Sequence, residues 1–171
     1  MELKEVIANR KSIRDYKDTP VPEDKLLRVL EAARLAQSGA NRQEWKFVVV
    51  RDANKREVLC QAAGGQKHVG QAPVIIAAVS TAPESIMKCE VPSGPVNVSI
   101  AIDHMTLAAH EEGLGTCWIG AFSQDESRQI LEIPDTCTVI ALLTLGFPNQ
   151  EGREKNRKTM EEIVCYDTYK E

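Results

Sequence analysis

Between Val96 and Glu112 the chain reads VNVSIAIDHMTLAAHEE, a helical spacing with apolar residues on more than one side. Val98, Ile100, Ala101, Ile102, Met105, Leu107, Ala108 and Ala109 cover too much of the circumference for a helix lying on a surface. Such a segment needs neighbours on several sides, so it is expected to be central and buried. Gly113 and Gly115 end it.

The flanking sequence supplies those neighbours. Lys46–Arg51 (KFVVVR), Pro73–Ser80 (PVIIAAVS), Thr116–Ile119 and Thr138–Gly146 are short apolar runs that read as strands. Helices are expected over residues 2–9, from Pro22 to a stop near Ser38-Gly39, over Asp52–Ala63 and over Gln124–Leu131. Residues 81–95, with Pro83, Pro92, Gly94 and Pro95, read as an irregular or weakly helical connection. The tail from Glu151 is polar, with one short helical or extended piece around Met160–Tyr166. Alternating helices and strands point to an α/β or α+β sandwich, helices on a sheet. At 171 residues, 43% of them hydrophobic, the chain fits one domain spanning 1–171.

Charge narrows the function. The formal net charge is −4 and no run of one sign appears, which argues against a nucleic-acid binder. The N-terminal MELKEVIANRKS lacks the apolar core of a signal peptide, and Pro73–Val79 is too short to cross a bilayer. A soluble cytoplasmic protein with no membrane partner is expected. Cys60, Cys89, Cys117, Cys137 and Cys165 are scattered and odd in number, unlike a disulfide framework or a zinc motif. His68, His104 and His110 do not share a spacing that would converge on a metal, and none is expected.

Four segments carry possible chemistry. In NRKSIRDY, Arg10, Lys11 and Arg14 with the Ser12 hydroxyl suit a phosphate or another anion, although a solvated basic turn reads the same way. In AQSGANRQEW, the small and amide side chains Ser38, Gly39, Asn41 and Gln43 can read the edge of a flat heterocycle, or merely form a loop. GLGTCWIGAF has glycines on both sides of a strand; it follows a helix, so it is not a dinucleotide-binding fingerprint. KNRK at 155–158 is a second basic cluster far from the first. No credible side-chain nucleophile or triad is present.

In this order and at these separations, NRKSIRDY, AQSGANRQEWKFVVV, GLGTCWIGAF and LGFPNQEGREKNRK resemble the nitroreductase family over residues 3–166. The resemblance implies an α+β fold with a central, mostly antiparallel sheet flanked by helices. It implies a homodimer with each active site at the subunit interface, and non-covalent FMN as the carrier of the chemistry, with no catalytic side chain. Electrons would pass from NADH or NADPH through the flavin to a small-molecule acceptor such as a nitroaromatic or quinone, by a ping-pong sequence. By position, Arg10, Ser12 and Arg14 would meet the phosphate, ribityl chain and pyrimidine edge, with Lys11 among them. Ser38, Gly39, Asn41 and nearby Gln43 would reach the flavin of the partner subunit. Trp118, Ile119 and Gly120 would lie near the ring, Lys155 and Arg157 near the phosphate, and Gln66 and Lys67 where relatives present an amide and a lysine. A flavin-storing module without fast turnover, or an oxygen-dependent or dehalogenating relative, fits the same resemblance. The chain departs from relatives at Glu44, where proline is common, at Asn97, where aspartate is frequent, and in having little sequence between Ser80 and the long helix.

Overall fold

A computed structural model of the chain describes residues 1–171. Seven helices, α1 (Leu3–Asn9), α2 (Glu23–Arg34), α3 (Ala53–Ala62), α4 (Lys67–Gln71), α5 (Ser93–Glu111), α6 (Gln124–Leu131) and α7 (Met160–Ile163), accompany four strands. The strands are β1 (Trp45–Val50), β2 (Val74–Ser80), β3 (Gly115–Ile119) and β4 (Thr138–Gly146), in spatial order β1-β2-β4-β3. Every neighbouring pair is antiparallel, as the family resemblance implies.

Side-chain alternation along β2 divides the protein into layers. Ile76 and Ala78 join Val29 and Ala33 of α2 and Val98, Ala101, Ile102 and Met105 of α5 in one core. Ile75, Ala77 and Val79 face the other way, onto Leu59 of α3, Val69 of α4 and the partly buried Ile130 and Leu131 of α6. Helices on both faces explain why every residue of β2 is buried, so that the strand is apolar without alternation. An antiparallel strand covered on both sides has the same hydrophobic signature as a parallel one.

The helix α5 departs from expectation at its start and in its burial. It begins at Ser93, with Pro92 before it and Pro95 inside the first turn, where a missing N–H costs no helical hydrogen bond. One face is closed by Val98, Ala101, Ile102, Met105 and Ala109, but Val96 is exposed and Ile100 and Leu107 are only half-buried. The single chain therefore satisfies only part of the apolar circumference. The short helix α4 was hidden from periodicity by its length and by Gly70 within it. Helix α2 ends at Arg34, earlier than the glycine suggests, and Gly39–Asn41 forms a separate 3-10 turn.

Residues 10–16 extend the sheet beyond β3. Ser12 bridges Thr116 in the parallel sense, and the Ile13 N–H donates to the Thr116 carbonyl at 2.8 Å. Buried Tyr16 anchors this segment: its hydroxyl donates to the Ile13 carbonyl at 2.8 Å and lies 2.7 Å from Thr144 Oγ1. Ile13 lies so close to Gly115 that an added Cβ there would come within 2.8 Å of the Ile13 Cβ. Gly115→Ala is therefore expected to destabilise the fold by about 1–3 kcal/mol through overpacking. Chemical denaturation monitored by circular dichroism would measure it.

Candidate functional site

The two basic clusters come together. Helix α1 ends at Asn9, just before Arg10, and its last carbonyls face outward without intrahelical partners. The Lys155 ammonium donates to the carbonyls of Ile7 and Ala8 at 3.0 and 2.6 Å, which ties the tail to this helix end. Desolvation lowers the Lys155 pKa, and the nearby charges of Arg10, Arg157 and Lys11 lower it further. Four cations thus crowd one corner of a chain whose net charge is negative. Arg10, Arg14 and Arg157 take part in no ion pair. Lys11 has only the exposed Glu151 carboxylate at 3.8 Å. Like charges gathered without counter-charge suit a site for an anion.

The Ser12–Thr116 bridge runs the segment Arg10–Arg14 alongside Leu114–Trp118. Four steps of extended chain lead from Arg10 to Arg14, a span of about 13 Å. At the far end Arg14 approaches His68, Cys117 and Tyr16. Burial lowers the His68 pKa and raises those of the Cys117 thiol and the Tyr16 hydroxyl, and the Arg14 charge acts on all three. The Gln66 amide donates to the carbonyls of Ala63 and Ala121 at 2.8 and 3.2 Å, linking the start of α4 to the turn after Gly120. Lys67 is exposed beside it. Trp118 is 41% exposed and so does not fill the core, whereas Ile119 belongs to the core beneath α3. A Cβ at Gly120 would meet only Trp118 Nε1, at 3.9 Å, so internal packing does not require the glycine.

The segment Ser38–Gln43 stands elsewhere. Ala40, Asn41 and Gln43 all have left-handed backbones, with φ of 52°, 55° and 54°. Three such residues in four positions are costly for side chains bearing a Cβ and persist only where surroundings hold them. The Ser38 hydroxyl accepts from the Gln43 N–H at 3.0 Å. The Gly39 N–H donates to Oδ1 of buried Asn97, in the first turns of α5, at 3.1 Å. The Gln43 amide donates to the Asn41 carbonyl and side chain, both at 3.2 Å.

These anchors separate the predicted site residues into two groups. Asn97 holds the strained segment at one end of α5, and His110, beside the cation cluster, lies near the other end. Thirteen residues of helix separate them by about 20 Å. Within one chain, Ser38, Gly39, Asn41 and Gln43 therefore stand apart from the Arg10, Lys155 and Arg157 corner.

A cavity of about 640 Å³ opens at the cationic corner, lined among others by Asn9, Arg10, Lys11, His110, Thr116 and Gly152. Of the residues expected to bind the cofactor, only Arg10 and Lys11 line it. The sequence weighs His110 only as a metal ligand; nothing along the chain places it beside Arg10 and Lys11. No helix is long and apolar enough to cross a membrane.

Comparison with known proteins places the chain. The nitroreductase family model matches residues 7–147. "FMN reductase [NAD(P)H]" of Bacillus subtilis is 29% identical, over 98% of this chain and 74% of its own length. A nitroreductase family protein from Clostridium novyi NT superposes with a TM-score of 0.83 at 35% identity, covering 87% of this chain and 86% of that one. An FMN-dependent nitroreductase from Clostridium difficile R20291 superposes with a TM-score of 0.85 at 28% identity, over 97% and 99% of the two chains. With that match over most of its length and an antiparallel sheet between two helical layers, the chain belongs to the nitroreductase family.

Proposed function

We propose that this protein is an FMN-dependent oxidoreductase that takes electrons from NADH or NADPH and delivers them to a small organic acceptor such as a nitroaromatic or a quinone. The observation that carries this reading is the convergence of Arg10, Lys11, Lys155 and Arg157, with only the exposed Glu151 carboxylate against Lys11, at one end of an edge whose other end bears Arg14. A phosphate dianion suits the first end, and the roughly 13 Å between the ends matches an elongated ligand with an anionic head and a flat, polar-edged body. Arg14 would face the pyrimidine edge and favour the anionic reduced ring. Ser12, Gln66, Lys67, Trp118 and the backbone of Ile119 and Gly120 would line the stretch between. Bound FMN supplies hydride acceptance and electron delivery, while the chain holds, orients and electrostatically tunes it.

The working unit is a homodimer. The strained Ser38–Gln43 segment has amide side chains exposed and no role in its own chain's cationic edge, so it serves the flavin of the partner. The half-open α5 stripe of Val96, Ile100 and Leu107, flanked by exposed Leu3 and Ile7 of α1 and Leu27 and Leu35 of α2, supplies the surface on which two chains meet.

Reconstitution tests this reading. The protein mixed with FMN and freed of excess ligand is expected to stay yellow, and to oxidise NADH or NADPH with saturable kinetics when a quinone or nitroaromatic is added. A protein that retains no flavin contradicts the whole reading. One that retains it but turns over no acceptor would be a flavin carrier instead.

A further inference from the structure

His110 sits in the last turn of α5 and lines the cavity together with Arg10 and Lys11, and its Nε2 is buried without a hydrogen-bond partner. The groups around it come from every neighbouring element. Arg10 and Lys11 follow α1, Lys155 comes from the tail, and Lys17 and Glu151 line the same cavity. The terminal amine of Met1 also lines it and is paired with Glu111 at 3.5 Å. In the free protein, burial and then the Arg10 and Lys155 charges hold His110 below the ordinary imidazole range, hence neutral near pH 7. The unpartnered nitrogen lies inside a cluster of cations.

We propose that His110 is a phosphate-coupled proton acceptor: when a phosphate dianion enters the Arg10–Lys11–Lys155–Arg157 corner, the imidazole takes up a proton and becomes a fifth cation of the cluster. The inference rests on the flavin-binding reading above and extends it to a residue outside the expected contact set. Two added negative charges offset the cationic repulsion that, after burial, keeps the free ring neutral, and the carbonyl end of α5 favours a cation at this position. The sign follows from linkage. A group whose pKa is higher in the complex strengthens binding fully below its free-state pKa, and that contribution disappears as pH rises through its bound-state pKa. FMN binding should therefore strengthen toward acid pH more steeply than the His110→Gln variant allows, by up to about tenfold for each unit the imidazole pKa rises.

Isothermal titration of the full-length protein with FMN at pH 7, in two buffers of different ionisation enthalpy, counts the protons exchanged. The phosphate alone would release protons, because its second pKa near 6 leaves some monoanion to be stripped by the cations, roughly a tenth at pH 7. Wild type is expected to take up a fraction of a proton, up to about one, more than His110→Gln. Riboflavin, which lacks the phosphate, should show no such difference. NMR titration of the wild-type His110 ring with and without FMN provides a second measurement that does not depend on the variant folding. Equal proton counts, or an imidazole pKa that FMN leaves unmoved, would overturn the assignment while leaving the flavin site intact. Failure of FMN to bind at all would overturn both.

Discussion

Removing two guanidiniums together, as in Arg10→Ala/Arg157→Ala, is expected to weaken FMN binding by two to four orders of magnitude while leaving the fold in place. A charge-assisted hydrogen bond contributes about 1.5–3 kcal/mol, so two independent ones account for about 3–6 kcal/mol of affinity. The fold should tolerate the loss because neither side chain is ion-paired, and Arg157 is exposed. Truncation also relieves repulsion within the cluster, so the unliganded protein loses little. Lys155 is a poorer probe: its ammonium holds two carbonyls at the end of α1, and its removal would loosen the corner as well as the ligand. Quenching of flavin fluorescence gives both affinities directly. Riboflavin should bind the double variant nearly as it binds wild type. An FMN affinity within a few-fold of wild type would remove the phosphate from this corner.

Much of this architecture can be read from residue pattern. The expected bounds of α6 and β4, Gln124–Leu131 and Thr138–Gly146, coincide with the observed ones, because Ser123 caps the polar helix and turn-forming residues frame the apolar strand. What pattern misses has physical causes. Gly94 and Pro95 look like loop residues, yet in the first turn of a helix their lack of side chain or N–H costs little. Between Gly64-Gly65 and Pro73, α4 is held by burial of Val69 against α3, a tertiary contact with no local signature. The apolar surround of α5 reads correctly as a need for several neighbours, but one chain supplies them only in part.

The site is legible as parts and not as an assembly. NRKSIRDY and KNRK each look like ordinary basic surface. Only the return of the tail to α1, through Lys155 and the Ile7 and Ala8 carbonyls, makes them one cluster. The amide-rich AQSGANRQEW shows its cost only in its backbone, where three left-handed residues lie beside a buried asparagine. The place of His110 in the cluster becomes visible only when α1, α5 and the tail surround it.

The second large effect concerns the interface. Leu107→Glu is expected to convert the proposed dimer into a monomer of 18.9 kDa and to abolish flavin retention at the same time. Leu107 lies four turns or fewer from Val96 and Ile100 on one side of α5, half-buried and outside the inner core, so the change should leave the chain folded. On an isologous interface a single substitution appears twice, and two carboxylates brought near a two-fold axis repel in a surface that has excluded water. The loss of flavin is the sharper consequence. The roughly 20 Å between Asn97 and His110 keeps a monomer's own Ser38–Gln43 segment away from its own Arg10 corner. Sedimentation velocity, far-UV circular dichroism and bound-flavin absorbance would follow mass, fold and cofactor on the same samples. A folded monomer that still holds FMN as tightly as wild type would mean that one chain encloses the ligand alone, and the Ser38–Gln43 segment would then need another explanation for its strain.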